Sequence, residues 1–214
     1  MKKVVCTMLM SIVALVAMAQ EEREENRLGW NVALQGGAHY SAFENTKHAS
    51  FGKNVDGHVA LSVGYDFSHA FGTRVEVSYG RNTSGTNTKE LNRPVVLYHC
   101  NDVSFFADAI FNLSNLLSKD RRTNFEVEAK GYLGLGVGIP SNGGDHNVHG
   151  YFSGSTETAM GVRAGVICEW HATPNWGFFV DGRLTGYADK FNGVDAGRAL
   201  DCRLGLSVGA IYHF

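Results

Sequence analysis

The sequence predicts an all-β chain, an eight-stranded antiparallel up-and-down transmembrane β-barrel, on three observations. Apolar and polar residues alternate at period two in eight separate stretches, which is the pattern of strands with one apolar face. The links between those stretches alternate between long and short. No segment beyond the N-terminal leader approaches about 18 consecutive apolar residues, so any membrane crossing has to be made of strands.

The leader comes first. Lys2 and Lys3, the apolar run from Val4 to Val16, and Ala17-Met18-Ala19 read together as a cleaved secretory signal peptide over residues 1–19. Cys6 opens the apolar run rather than closing it, which argues against a lipoprotein anchor. Residues 20–27, with Glu21, Glu22, Glu24 and Glu25, read as a solvated acidic periplasmic tail, and residues 28–214 as one barrel domain. Removing Lys2 and Lys3 from the 19 basic residues leaves 17 against 21 acidic ones, a net of about −4. That balance leaves no basic footprint, so no nucleic-acid partner is expected.

The first stretch places Leu28, Trp30, Val32, Leu34, Gly36, Ala38 and Tyr40 on one face against Asn31, Gln35 and His39. The second alternates from Val55 to Phe67 and the third from Phe71 to Gly80. The fourth, Val103 to Phe111, is less clean because Phe106 and Ile110 fall on the polar side. The fifth runs from Phe125 to Val137, the sixth from Met160 to Trp170, the seventh from Trp176 to Thr185, and the last from Leu200 to Phe214. Long links cover about 41–54, 81–102, 138–158 and 186–199; short ones cover 68–70 and 171–175. The link 112–124 is intermediate, and Leu113 to Leu117 is expected to add a helical turn there. With the N-terminus in the periplasm, the long links fall outside the cell and the shorter ones inside, as in outer-membrane barrels.

Alternation alone fits a soluble barrel as well, with its apolar face inward. Glycine and tryptophan decide for lipid. The polar face carries Gly64, Gly72, Gly134, Gly136, Gly161, Gly165, Gly205 and Gly209, among others, which suits a narrow lumen where side chains from eight strands converge. Trp30, Trp170 and Trp176 all fall at the periplasmic ends of their stretches, where an interfacial aromatic girdle belongs.

With the closing Gly209-Ala210-Ile211-Tyr212-His213-Phe214, the leader and the eight stretches resemble the OmpA/OmpX-type outer-membrane β-barrel family. Phe111-Asn112-Leu113-Ser114-Asn115-Leu116-Leu117 with Tyr132-Leu133-Gly134-Leu135-Gly136 resembles the barrel domains of OmpA-like major outer-membrane proteins. The likeness spans the mature chain, and its specific motif is the terminal strand. It implies that Tyr212 and Phe214 form a C-terminal signal read by the barrel-assembly machinery. The peptidoglycan-binding domain that follows the barrel in OmpA has no counterpart before Phe214, so cell-wall tethering is not implied.

Arg74, Glu76, Glu128, Lys130, Arg163, Asp181 and Arg183 lie on the polar face at similar, roughly central heights. Buried charges must be paired, so these seven are expected to form an ion-pair network that plugs the lumen. Neither a catalytic, nor a cofactor, nor a metal site is predicted. Asp145-His146-Asn147-Val148-His149 has ligand residue types but lacks a third fixed ligand and reads as a solvated loop. His48-Ala49-Ser50 resembles the His-x-Ser element of lipid A deacylase barrels. It lies in a polar loop with only Glu44 as a nearby acid, and reads as an accidental match. Gly134-x-Gly136-x-Gly138 lies inside a strand and lacks the strand-to-helix context of a phosphate loop. Cys100, Cys168 and Cys202 are widely spaced and odd in number, so they read as small side chains rather than a disulfide framework.

The expected role is structural: a non-enzymatic protein of the bacterial outer membrane whose loops meet a partner at the cell surface. Its other partners are outer-membrane lipids and lipopolysaccharide, and the assembly machinery during insertion. The alternative is a narrow or gated channel for small solutes, and less favoured is a lipid A-modifying barrel enzyme.

Overall fold

A computed structural model describes residues 28–42, 51–86, 96–117, 127–141, 158–188, 191 and 200–214. The leader, the acidic tail and the segments holding His48, Ser50, His146 and His149 lie outside these residues. Eight strands form one sheet: β1 Gly29–Ala42, β2 Val55–Asp66, β3 Phe71–Thr86, β4 Val96–Asn112, β5 Val127–Ser141, β6 Ala159–His171, β7 Trp176–Tyr187 and β8 Asp201–His213. Each pairs antiparallel with its sequence neighbour, and β1 closes on β8 from Asn31↔His213 to Ala42↔Cys202. Closure leaves no free edge, so each strand has a hydrogen-bonded neighbour on both sides without help from water.

Local chemistry makes the tight turns. Ser68 Oγ accepts from Phe71 N at 3.0 Å between β2 and β3, and Thr173 Oγ1 accepts from Trp176 N at 2.9 Å between β6 and β7. In both, a hydroxyl satisfies the backbone as the chain reverses. The helical turn expected from Leu113 to Leu117 is present as α1. Asn112 Oδ1 caps it by accepting from Asn115 N at 3.1 Å. These turns, α1 and the chain's C-terminus share one end of the barrel, called the lower end below.

The apolar face points outward. Leu34, Leu133, Leu206 and Val208 are each more than 60% exposed, whereas Glu76, Arg163 and Asp181 are at most 4% exposed inside. Glycine lets the interior close up. A Cβ on Gly165 would meet Tyr132 Oη at 2.4 Å, and one on Gly136 would meet the Phe106 ring at 2.6 Å, so both aromatic side chains lie across the lumen over bare backbone.

Among the boundaries that differ from the sequence reading, two bring polar residues into the lumen. The link expected over 81–102 is largely strand, since β3 and β4 stay paired from Arg81↔Asn101 to Thr86↔Val96. Asn82 and Thr83 therefore belong to β3 rather than to a generic polar loop. Apolar alternation stops near Tyr79, but backbone ladder bonds continue without it. His171, read as the start of a link, is the last residue of β6 and points into the lumen, with its side chain 1% exposed.

Candidate functional site

The lumen holds the polar chemistry of the described residues, arranged in three storeys. The central storey is built from alternate residues of β3, β4, β6 and β7, whose pleat turns Arg74, Glu76, Asp108, Arg163, Asp181 and Arg183 inward. Arg163 reaches Asp108 with Nε and Nη2, both at 2.7 Å, and Glu76 with Nη1 at 2.5 Å. Arg183 donates to Glu76 Oε1 at 2.7 Å and also pairs with Asp181. Arg74 Nε donates to Asp108 Oδ2 at 2.7 Å. Gln35 and Tyr132 complete the carboxylate shells at 2.6 Å from Glu76 Oε2 and 2.9 Å from Asp181 Oδ1. Arg74 stacks over the Tyr132 ring and Arg163 over the Phe106 ring, with 4.5 and 4.4 Å to the centroids. Three guanidinium groups thus meet three carboxylates, and charge balances without a ligand.

The upper storey centres on Asp102. It accepts from Asn82 Nδ2 at 2.5 Å and Ser104 Oγ at 2.8 Å, and Arg203 reaches it at 3.1 Å. Tyr187 and Phe191 stack at 4.1 Å and lie under the Arg203 guanidinium. His39 pairs with Asn82, and His58 with Ser207.

The lower storey contains Glu128 and Lys130 together with Glu169, His171 and His213. Lys130 Nζ donates to Glu169 Oε2 at 2.6 Å and lies 3.3 Å from Glu128 Oε2. His213 Nε2 lies 2.8 Å from Glu169 Oε1. Cavities of about 30 Å³ adjoin the lower and upper storeys, each with room for about one or two waters.

The seven charges expected at one height therefore separate. Arg74, Glu76, Arg163, Asp181 and Arg183 share the central storey. Glu128 and Lys130 lie below it, because strand tilt and stagger shift equal sequence offsets to different heights. Asp108, Asp102, Arg203, Glu169, His171 and His213 were missed as members of the charge networks. Alternation had placed most of them on the polar face; their partners on non-adjacent strands were invisible in one dimension.

No family model and no curated protein sequence matches the chain. Solved structures do. Neisserial surface protein A overlays with a TM-score of 0.56 at 17% identity, over 87% of this chain and 97% of the other. OprG, an outer-membrane protein from Pseudomonas aeruginosa, overlays with a TM-score of 0.57 at 9% identity, over 90% of this chain and 99% of the other. The fold is that of the OmpA/OmpX-type outer-membrane barrels.

In outer-membrane barrels the short turns face the periplasm, and here the short turns mark the lower end. Trp30, Trp170 and Trp176 project outward there, each about half exposed. Trp30 packs edge-on against Tyr65, Trp176 against Tyr212, and Trp170 stacks on Phe178. Tyr212 in turn meets Phe214 edge-on at 5.2 Å, so the terminal residues continue the same aromatic ring. The lower end is tied together by main-chain bonds, with Phe214 N donating to Trp30 O and Asn175 Nδ2 to His213 O. Cys100 is buried, Cys168 exposed and Cys202 half-buried, and all three are free thiols. Among the described residues one group has the composition and spacing of metal ligands, Glu169, His171 and His213.

Proposed function

We propose that this chain is an integral protein of the bacterial outer membrane with a plugged lumen and a structural, surface-interacting role. One observation carries the reading: a closed barrel turns its apolar residues outward and encloses charged networks, of which the central one is balanced. In water that arrangement is inside out, and in acyl chains it is the stable one. Residues 1–19 direct export, and the terminal aromatic strand with Tyr212 and Phe214 engages the assembly machinery. Above the outer edge of the apolar band, at Arg81↔Asn101, β3 and β4 stay paired for five more residues. At about 3.4 Å per residue they lift this hairpin some 17 Å along the strand direction, which supports contact with a partner at the cell surface.

Closure of the lumen is supported by the paired charges and by aromatic side chains laid across glycine. A narrow or gated channel is the competing reading. Planar-bilayer recording of the refolded barrel separates them: the plugged barrel gives no steady conductance, and a large, stable, ohmic conductance overturns closure. A lipid A-modifying enzyme is tested by mass spectrometry of lipid A from expressing cells, where an unchanged profile is expected.

A further inference from the structure

We infer that the lower mouth of the lumen is a binding site for one divalent transition-metal ion of the zinc class, held by Glu169, His171 and His213. Glu169 and His171 are two apart on β6 and so share its lumen face, while His213 reaches them from β8, across the intervening strand β7. One donor atom from each side chain lies within 4.8 Å of the others. Glu169 Oε1 is 2.8 Å from His213 Nε2 and 3.4 Å from His171 Nδ1. Tetrahedral zinc with bonds of about 2.1 Å spaces its donors by roughly 3.4 Å, so small side-chain rotations bring the three atoms onto one ion.

Three further observations point to a ligand. His171 has its side chain 1% exposed, yet neither ring nitrogen is hydrogen-bonded. An imidazole left in this state loses its hydration without compensation, and metal coordination through Nδ1 supplies the missing partner. Glu128 Oε2 lies 3.4 Å from Nε2 on the far side of the same ring. That is the place of the outer carboxylate which orients a metal-bound histidine. The charges are also unbalanced. Glu128 and Glu169 sit directly opposite each other across the β5–β6 ladder, and Asp66 lines the same small cavity. Among the described residues Lys130 is the one ammonium beside these three carboxylates. With neutral imidazoles these described groups carry three negative charges against one positive, and one divalent ion offsets the difference. Lys130 holds Glu169 through Oε2, leaving Oε1 turned to the imidazoles. Two nitrogens and one carboxylate oxygen favour zinc, nickel or copper over calcium or magnesium. The open position faces the adjoining cavity, where a water completes the shell.

The test uses the full barrel refolded in detergent, treated with chelator and titrated with zinc chloride against a chromogenic zinc chelator. Cys100, Cys168 and Cys202 are replaced by Ala to remove thiolate ligands. One equivalent of tightly bound zinc is expected, with affinity lowered at least about 100-fold in His171→Ala and in His213→Gln. Glu128→Gln is expected to lower it about 10- to 100-fold. Folding of each variant is checked by its gel shift on boiling. X-ray absorption of the zinc-loaded, otherwise unsubstituted barrel gives a reading that needs no ligand variant, with two imidazole nitrogens and a carboxylate oxygen near 2.0–2.1 Å. No binding by the folded barrel overturns the proposal, and is the result if imidazolium ions neutralise the storey instead. Binding that survives both histidine substitutions, or a first shell without imidazole, overturns it equally.

Discussion

The central and lower storeys of the lumen use similar residue types to opposite ends. In the centre, Arg74, Arg163 and Arg183 match Glu76, Asp108 and Asp181 one for one, and the planar guanidinium groups of Arg163 and Arg183 each reach two carboxylates at once. Guanidinium forks suit such sharing, since their donors are fixed in one plane. At the lower mouth one compact ammonium among the described residues, Lys130, stands between Glu128 and Glu169, while His171 has no hydrogen-bond partner there. The first arrangement is self-sufficient and suits a plug. The second leaves donor atoms and negative charge converging on a small cavity, which suits a ligand. Balance, more than burial, separates scaffold from site.

The strongest way to break this contrast is to unpair the central storey. Arg163→Met leaves Asp108 and Glu76 short of a shared cation and is expected to destabilise the barrel by about 3–5 kcal/mol, read from the urea midpoint of refolding in detergent. A loss below 1 kcal/mol would mean that the network is not holding the plug. Next comes the wall that both storeys depend on. Leu206→Arg places a charge on the outward face of β8 and is expected to cost about 2–4 kcal/mol in a bilayer. A neutral effect there would contradict a lipid-facing exterior. The smallest expected effect is Lys130→Met. It removes the one ammonium among the described residues at the mouth, but the adjoining cavity is lined by Glu128 and can admit water to it, so about 2–3 kcal/mol is expected. If Lys130→Met costs more than Arg163→Met, the mouth is the more tightly coupled storey and the contrast is reversed.

Much of the barrel was legible because lipid-facing and lumen-facing residues must alternate on every strand. Val32, Leu34 and Val208 revealed their face by period alone, and the short Ser68 and Thr173 turns revealed which strands pair. The upper reach of β3 and β4 was not legible. Asn82 is buried between His39 and Asp102, so it is a lumen residue with the composition of a loop. His171 was hidden for a related reason, since a polar residue ending one strand looks like the beginning of a turn. The common height assigned to the seven charges failed for Glu128 and Lys130 because barrel stagger shifts each strand along its neighbour.

The order of residues along this chain thus sufficed for strand number, for which side chains of the alternating stretches point inward or outward, and for the outward placement of Trp30, Trp170 and Trp176 at one end. All of these follow from the two-residue pleat, which acts within one strand. Which carboxylate meets which guanidinium, and that Glu169, His171 and His213 converge, depended on closure of β1 onto β8 and on the resulting stagger. Most of those contacts join residues on different strands of a curved sheet, from 34 positions apart for Arg74 and Asp108 to 107 for Arg183 and Glu76, and no local periodicity records them.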